Sequence, residues 1–378
     1  MKTFSVGVLT AHEGAANWIR LIQEINNNSD ITINSLHGFT DQYYRSPKNI
    51  LKRFLIRVST YILYPLKCTV QLLLFNKKYD AFIVVTSPFF LPSLCSLISE
   101  NPIIYLMNDI YPEALVLAGV IRRGSLLEKI LKEVTCYGIQ RSSAIVYLSE
   151  GHRHVSETEF GVHDNVYIIP PGAVGNGFTN MLPREHCAPI TFLYCGTMGL
   201  MHDISTILNF LRSRNIPTGC RLEFRTSGAG KEQFEKAIKN ELSPLLDDGT
   251  VTLGDAMTDN EWKNKMISSQ VGMVFQDIGA ENVIFPSKVF SALVAGQAIL
   301  AIVSEGSELG RLVLDNDCGW IVAPGDIDAL HHAFSEALNP ELLYRKRSNA
   351  FRLGHERFTI DKLAGNWIEV IHKTVSTE

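Results

Sequence analysis

A lysine at the start of a short helix is the side chain of this sequence that is best placed to bind an anion. Lys288 follows Pro286 and Ser287, in a polar loop that leads away from the apolar strand predicted at Val271–Phe275. The first backbone N–H groups of a helix lack partners within the helix and attract negative charge. Ser287 is predicted to cap the helix, and Lys288 adds a full positive charge. The pattern predicts a site for a diphosphate.

Glycines directly follow three other apolar runs in the second half of the chain. Gly196 and Gly199 lie in the string GTMG, Gly228 lies in SGAG, and Gly254 ends the third run. A residue without a Cβ atom lets a diphosphate or a nucleoside approach the main chain closely. His202 lies in the first of these loops and is a candidate ligand contact, although a lone histidine is more often structural.

Two acidic side chains follow an apolar run in the first half, after the strand predicted at Ile103–Met107. Asp109 and Glu113 lie in the string NDIYPE. A carboxylate at such a position can orient a hydroxyl group or remove its proton. The alternative is that the two residues cap a helix that begins near Pro112.

Short apolar runs that alternate with helical patterns predict the elements that position these residues. Near-continuous apolar runs are typical of strands buried on both faces of a parallel sheet, and their alternation with helices indicates an α/β fold. Ligands bind beyond the carboxyl ends of the strands in such sheets. The predicted strands are Phe4–Leu9, Ile31–Ser35, Phe82–Thr86, Ile103–Met107, Ala144–Leu148, Val166–Ile169, Thr191–Tyr194, Leu222–Arg225, Val251–Leu253, Val271–Phe275, Ile299–Val303 and Trp320–Val322.

The chain is long enough for two domains, and its composition indicates where they divide. Its 378 residues exceed the roughly 250–300 residues of a single hydrophobic core. Proline and glycine are concentrated between Pro170 and Pro189, where no periodic pattern is present. We therefore predict one Rossmann-like domain over residues 1–175 and a second over residues 176–359.

The composition predicts a globular protein of the cytoplasm. Hydrophobic residues make up 46% of the chain and charged residues 20%, and the net charge of −4 indicates no nucleic-acid partner. Seven cysteines without zinc-site spacing are typical of a reducing compartment. The first apolar run is too short for a signal peptide, and no uninterrupted apolar stretch of about 20 residues predicts a membrane-spanning helix.

The segment 45–78 mixes basic side chains with aromatic and aliphatic ones and contains no acidic residue. This mixture favours a peripheral position on an anionic lipid leaflet, and Pro65 argues against a helix that spans the bilayer. The alternatives are a solvated basic face whose apolar side packs on the sheet and, less strongly, an RNA-binding surface. The basic residues are Arg45, Lys48, Lys52, Arg53, Arg57, Lys67, Lys77 and Lys78.

Seven short motifs, taken in order and with their spacing, resemble those of retaining glycosyltransferases of the GT-B fold, family 4. They are NDIYPE, SEG, IIPPG, YCGTMGLMHD, SGAG, GAENVIFPSK and CGWIVAPGD. The branch that acts in bacterial surface-polysaccharide and O-antigen assembly is the most similar. The resemblance covers essentially the whole chain and implies two Rossmann-like parallel-sheet domains that face each other across a cleft.

The resemblance also implies which substrate each half of the chain binds. The C-terminal half would bind a nucleotide-sugar and the N-terminal half the acceptor, with retention of the anomeric configuration and without a metal ion or another cofactor. A last helix, within about 360–378, would pack back on the N-terminal domain.

Four further site residues come from the resemblance. Glu281 and Asn282 would contact the donor sugar or the ribose, and Gly14 would approach the donor from the acceptor half, with His12 beside it. The family often carries a second acidic residue where this chain has Ser291, whose hydroxyl makes a weaker hydrogen bond to a ribose than a carboxylate does.

This chain lacks two phosphate-binding cations that many members of the family carry. The two positions are occupied by Leu200 and Ser205. Lys288, together with Arg225, would then supply more of the positive charge at the diphosphate.

We therefore expect a retaining glycosyltransferase that transfers a sugar from a UDP- or GDP-sugar to a lipid-linked saccharide at the inner face of the cytoplasmic membrane. Asp109, Glu281 and Lys288 are the predicted catalytic residues, and the leaving diphosphate itself would accept the proton. Two alternatives stay open: a nucleotide-sugar 2-epimerase of the same fold, and a non-catalytic relative that only binds nucleotide-sugars.

Overall fold

The structure is a computed structural model, and it describes residues 3–11, 16–38, 50–173, 178, 189–199, 201–228, 230–281, 283 and 285–376. The chain divides into two compact units. The first comprises Met1–Pro171, Val283–Phe285 and Ile360–Glu378, and the second comprises Gly172–Asn282 and Pro286–Thr359. The domain boundary predicted at residues 175 and 176 lies outside the described residues.

The first unit contains a six-stranded sheet in the order β2-β1-β3-β4-β5-β6, in which the paired strands are parallel. Its apolar strands are buried on both faces, as the near-continuous runs predict: all five residues of the third strand are buried. The strands are β1 (Phe4–Leu9), β2 (Ile31–Ser35), β3 (Ala81–Val85), β4 (Ile103–Met107), β5 (Ala144–Tyr147) and β6 (Val166–Ile168).

Helices cover this sheet, and the last helix of the chain is one of them. Trp367 of that helix is 2% exposed and packs edge-to-face on Trp18, with ring centroids 5.3 Å apart. The helices of the first unit are α1 (Ala16–Asn28), α2 (Ile50–Val58), α3 (Tyr64–Phe75), α4 (Leu91–Ile98), α5 (Glu113–Leu117), α6 (Leu126–Arg141), α7 (Glu150–Phe160) and, at the end of the chain, α16 (Ile360–Ser376).

The second unit contains a six-stranded sheet in the order β12-β11-β10-β7-β8-β9, and its paired strands are also parallel. Its strands are β7 (Ile190–Thr197), β8 (Cys220–Ser227), β9 (Val251–Gly254), β10 (Val271–Phe275), β11 (Ala298–Ile302) and β12 (Gly319–Val322). The helices are α8 (Ile204–Ser213), α9 (Lys231–Glu241), α10 (Ser243–Asp247), α11 (Asp259–Ser268), α12 (Lys288–Val294), α13 (Glu308–Asp315), α14 (Ile327–Ala337) and α15 (Pro340–Arg357).

The strand order of the second sheet explains where a ligand can bind. From β7 the chain proceeds outward through β8 and β9, and it then returns to β10 on the other side of β7. The loops that leave β7 and β10 therefore diverge, and the crevice between them is the usual ligand site of such sheets. All twelve predicted strands are present, so the predicted α/β architecture of two parallel sheets is confirmed.

The helices α2 and α3 are joined by one π-helical turn, Ser59–Leu63, and form a continuous helical run. Pro65 lies in the first turn of α3, directly after the π-helical turn, and the helical run continues through it. By length and composition the stretch Phe54–Lys78 is able to cross a membrane, although a third of it is buried in the protein. Pro65 therefore does not end the helix, and the expectation that the segment does not span a membrane stays a prediction.

Candidate functional site

Lys288 lies at the switch point of the second sheet, where it reaches from the start of α12 to the end of β7. Its Nζ atom is 2.6 Å from Tyr194 Oη, 3.2 Å from the carbonyl oxygen of Thr197 and 3.3 Å from His202 Nε2. Nζ also lies 4.1 Å from the centroid of the Tyr194 ring. Burial lowers the pKa of Lys288 to about 7, because the interior solvates an ammonium group poorly.

His202 is the second polar group of this cluster, and its ring is held by the backbone. The N–H group of Gly199 donates to His202 Nδ1 at 2.9 Å. Burial, followed by the positive charge of Lys288, lowers the pKa of His202 to about 4, so the ring is neutral at pH 7. Its proton is then on Nε2, the atom that faces Lys288. Two nitrogen donors converge here, as an anion-binding site requires.

The structure corrects the prediction that Ser287 caps α12 through its side chain. Ser287 is exposed, has helical backbone angles (φ −55°, ψ −21°) and makes no side-chain capping hydrogen bond. A capping residue needs extended angles to turn its oxygen back to the first N–H groups. The N–H groups of Val289 and Phe290 bond instead to the carbonyl oxygens of Pro286 and Ser287. Lys288 is therefore the better supported part of the predicted diphosphate site.

The glycine loops after β7 and β8 are joined through their backbones. Met198 N–H donates to the carbonyl oxygen of Ser227, and Gly230 N–H donates to that of Met198. Gly228 has φ +97°, and a Cβ atom there would lie 2.7 Å from Met198 O. Gly196 has φ +131°, and its Cβ position faces the Lys288 side chain at 4.0 Å. Only glycine fits both positions without strain, so these two residues shape the floor beside Lys288.

Gly254 faces a side chain of the protein. The guanidinium group of Arg225 lies against it, and a Cβ atom at this position would overlap that group. Arg225 in turn pairs with Glu223 at 2.7 Å, and Glu223 also pairs with Lys265 at 2.8 Å. Arg225 thus shares the single carboxylate of Glu223 with Lys265.

Glu281 is fixed by two hydrogen bonds from neighbouring loops. The N–H group of Gly279 donates to one carboxylate oxygen at 2.6 Å, and the Ser304 hydroxyl donates to the other. The carboxylate is therefore held beyond the carboxyl ends of β10 and β11. Asp277 lies nearby, and burial together with the charges of Asp203 and Glu281 raises its pKa. Asn282 lies outside the described residues.

The positions where the chain departs from the family pattern have structural partners of their own. Ser205 donates to Asp203 at 2.6 Å, and Asp203 caps α8 by accepting from the Thr206 N–H group at 3.1 Å. Ser291 is 3% exposed within α12, and its predicted contact with a ribose stays a prediction. Leu200 lies outside the described residues.

On the first unit, Asp109 follows β4 at the position predicted for an acceptor-side carboxylate. Burial raises its pKa to about 6, and its charge in turn contributes to the raised pKa of Tyr111. The alternative that Asp109 caps the next helix is wrong, because Pro112 is the N-cap of α5. Glu113 is 5% exposed, and one of its carboxylate oxygens lacks a hydrogen-bond partner. His12 and Gly14 lie outside the described residues.

Sequence reasoning missed the residues that orient the predicted ones. Tyr194 contacts Lys288 and is the first residue of the motif YCGTMGLMHD, although the motif assigned it no role. Ser304 contacts Glu281 and lies in none of the seven motifs. A tyrosine directly before a glycine loop was a usable signal for Tyr194, because a buried hydroxyl needs a polar partner. No comparable signal marks Ser304. Within the described ranges, no group of three or more His, Cys, Asp or Glu residues could hold a metal ion.

Comparison with known proteins finds a probable glycosyltransferase of similar sequence and solved structures of similar fold. No family model matches the chain. A probable glycosyltransferase, WbjE of Pseudomonas aeruginosa, is 22% identical over 316 residues, which are 80% of this chain and 76% of that protein. Sucrose-phosphate synthase from Thermosynechococcus elongatus is similar in structure, with a TM-score of 0.72 at 12% identity over 99% of this chain and 100% of that one.

Two further solved structures have the same fold. HepE of Anabaena in complex with UDP has a TM-score of 0.67 at 12% identity, over 98% of this chain and 99% of that one. The lipopolysaccharide outer core galactosyltransferase WaaB, in its apo form, has a TM-score of 0.58 at 12% identity, over 98% of both chains.

The chain has the GT-B fold. The predicted fold class and the resemblance to glycosyltransferases are therefore confirmed, and so is the predicted enzyme class at the level of glycosyltransferase. The names of the relatives specify neither family 4 nor the stereochemistry of transfer.

The glycine junction leads to a stability prediction. Gly228→Ala should destabilise the protein more than Gly249→Ala, which also has a positive φ (+75°) but has no atom within 4 Å of its Cβ position. Backbone strain alone costs about 1–2 kcal/mol, and the contact with Met198 O adds to it only at Gly228. Urea unfolding of the two variants measures the difference. Equal losses would show that the junction is not tightly packed.

Proposed function

We propose that the protein is a retaining glycosyltransferase of family 4 that transfers a sugar from a UDP- or GDP-sugar to a lipid-linked saccharide in the synthesis of a bacterial surface polysaccharide, such as O-antigen or capsule. The second unit would bind the donor and the first unit the acceptor. The WbjE relative supports the transferase part of the proposal, and the likeness to a lipopolysaccharide galactosyltransferase supports the polysaccharide part.

The observation that carries the proposal is the convergence of Lys288 and His202 at the switch point. Lys288 Nζ and His202 Nε2 are 3.3 Å apart, beside Gly196, whose Cβ position faces the Lys288 side chain at 4.0 Å. Both nitrogens are able to donate to one anionic group. A nucleoside diphosphate supplies such a group, and the similar structure of HepE contains UDP.

The same geometry suggests how the protein would accelerate transfer. When the bond between the sugar and the diphosphate breaks, negative charge develops on the leaving phosphate. Fixed donors in a partly buried site stabilise that charge more than water does, and Lys288 is such a donor. The leaving phosphate would then accept the proton of the attacking hydroxyl group, so the scheme needs neither a protein nucleophile nor a metal ion.

Two carboxylates would orient the reacting partners. Glu281 is held by Gly279 and Ser304, and we assign it to the donor sugar, whose hydroxyl groups are suitable hydrogen-bond donors. Asp109 would orient the acceptor hydroxyl by accepting its hydrogen bond, because its pKa of about 6 leaves it mostly ionised at pH 7. The ring of Tyr111, which follows Asp109 by two residues, offers an apolar face of the kind that packs on sugars.

The acceptor would be presented at a membrane, for which the first unit offers a suitable surface. One face of α3 is buried through Tyr64, Cys68 and Leu72, and Tyr64 donates to the Leu36 carbonyl oxygen at 3.0 Å. The opposite face of the α2–α3 run is exposed and apolar. It comprises Leu51, Phe54, Leu55, Tyr61, Ile62, Leu63, Leu66, Val70, Leu73, Leu74 and Phe75, each at least 48% exposed.

Charge supports the same interpretation of this apolar face. Exposed lysines or arginines flank it at Lys52, Arg57, Lys67, Lys77 and Lys78, and each contributes about 1 kcal/mol near an anionic leaflet. Because the inner side of α3 packs on the core, we propose that the run lies on the inner face of the cytoplasmic membrane and does not cross it. The protein would then be a peripheral protein of the cytoplasmic side. Arg45 and Lys48 of the predicted segment lie outside the described residues.

Replacing the lysine of the donor site should weaken nucleotide binding. Lys288→Ala removes a charge-assisted hydrogen bond worth about 1.5–3 kcal/mol, so the affinity for UDP or GDP should fall about 10- to 150-fold. Calorimetric titration measures the change, with the exposed Lys239→Ala as the control. Unchanged affinity would place the diphosphate elsewhere.

Turnover should depend on the ionisation of Asp109. Since its pKa is raised to about 6, the carboxyl group is protonated and inactive below that value, and kcat/KM should rise as the pH increases through 6. In Asp109→Asn, kcat/KM should be about 100-fold lower, because the acceptor hydroxyl is no longer oriented, and it should not rise through pH 6. Glu113→Gln should retain the rise, and a loss of the rise only in Glu113→Gln would reassign the role to Glu113.

Binding to vesicles should depend on both the apolar face and the charges. Leu73→Glu with Leu74→Glu should abolish sedimentation with anionic vesicles, whereas Leu314→Glu, at an exposed leucine of the second unit, should not. Lys52→Gln with Arg57→Gln should weaken binding to anionic vesicles far more than to zwitterionic ones. Undiminished binding of the glutamate double variant would refute the proposed surface.

A further inference from the structure

The neighbours of Lys288 have fixed donor and acceptor roles, and these roles restrict the protonation state of its amine. Tyr194 Oη donates its proton to the carbonyl oxygen of Thr197 at 3.1 Å, so the hydroxyl oxygen faces Lys288 as an acceptor. The Thr197 carbonyl oxygen, 3.2 Å from Nζ, is also an acceptor. These two groups accept two protons from the lysine nitrogen.

The third neighbour of Nζ has the opposite polarity. His202 Nδ1 accepts the N–H group of Gly199 at 2.9 Å, and a neutral imidazole that accepts at one nitrogen carries its proton on the other. The Nε2–H group therefore points at Lys288 Nζ from 3.3 Å. An ammonium group has three donors and no lone pair, so it cannot accept this hydrogen bond.

A neutral amine satisfies all three neighbours. It donates twice, to Tyr194 and Thr197, and its lone pair accepts from His202. The face of the Tyr194 ring attracts an ammonium group. An ammonium group would nevertheless place its N–H donors opposite the Nε2–H donor of His202. The other titratable group near Nζ on β7 is Cys195, which stays a neutral thiol because burial raises its pKa to about 11.

We propose that Lys288 is a neutral amine in the free protein and takes up a proton from solvent when a nucleoside diphosphate binds, with His202 as the positioning residue that imposes this coupling. The inference rests on the proposed donor site. The incoming phosphate accepts from His202 Nε2–H, which frees the lysine lone pair, and its charge stabilises the ammonium group that forms. No covalent bond is made or broken, and the proton comes from water or buffer.

The coupling has a defined pH dependence. Below a pH of about 7 the free lysine is already protonated, and binding takes up little. Above that pH, the fraction of free protein with a protonated Lys288 falls about tenfold for each pH unit. The affinity for the nucleotide should therefore also fall about tenfold per unit. The window between pH 7.5 and 9 isolates the lysine, because a terminal phosphate with a pKa of about 6 is fully ionised there.

Calorimetric titration with UDP and GDP at pH 8, in two buffers of different ionisation enthalpy, measures the proton uptake directly. The wild-type protein should take up about one proton per nucleotide. Lys288→Arg stays charged, so it should bind with no uptake and with an affinity that is flat from pH 7.5 to 9. His202→Gln, whose amide oxygen can turn towards an ammonium group, should also reduce the uptake and flatten the profile.

If the variants do not fold, a second measurement on the wild-type protein tests the inference. Selective ¹³C-lysine labelling of the wild-type protein, followed by an NMR titration of the free protein, should show one Cε resonance that titrates near neutral pH, and this titration should move to higher pH with UDP or GDP. Nucleotide binding without proton uptake would overturn this inference and leave the proposed function standing. Binding of neither nucleotide would overturn both.

Discussion

The contact between the Lys288 amine and the end of β7 is the interaction on which the candidate donor site depends. It joins residues 94 positions apart in the sequence, and only the adjacency of β7 and β10 in the sheet makes it possible. Lys288 follows β10 by way of a loop, and Tyr194 and Thr197 belong to β7 itself. The parallel order of the sheet therefore assembles the cluster before any ligand is present.

Few positively charged side chains lie among the described residues of this site, and this determines how the site can bind an anion. Arg225 shares the Glu223 carboxylate with Lys265, Ser205 supports the cap of α8, and His202 is kept neutral by burial. Lys288, with a pKa of about 7, is the cation that we assign to the diphosphate. In the proposed donor site a diphosphate would be held by Lys288, by His202 and by backbone, and its binding would be sensitive to pH in the physiological range.

In the first unit, the long apolar α2–α3 run packs against the protein with only one of its two sides. Tyr64 and Leu72 pack into the core on one side, and apolar side chains stay exposed on the other. An exposed apolar surface of this size is unfavourable in water, and a lipid leaflet would cover it. In the proposed function, the segment would connect the first unit to a lipid-linked acceptor.

The sequence by itself determined the architecture, because apolar runs of strand length that alternate with helices specify two parallel sheets without reference to any contact. It also placed Asp109, Glu281 and Lys288 beyond strand ends, where ligands bind. Tertiary structure decided the partners of each: Tyr194 and His202 for Lys288, Ser304 for Glu281, and Glu223 for Arg225. It also showed that Ser287 does not cap and that Pro65 does not break its helix. Such facts depend on backbone angles and on distances between residues far apart in the chain, which no local pattern encodes.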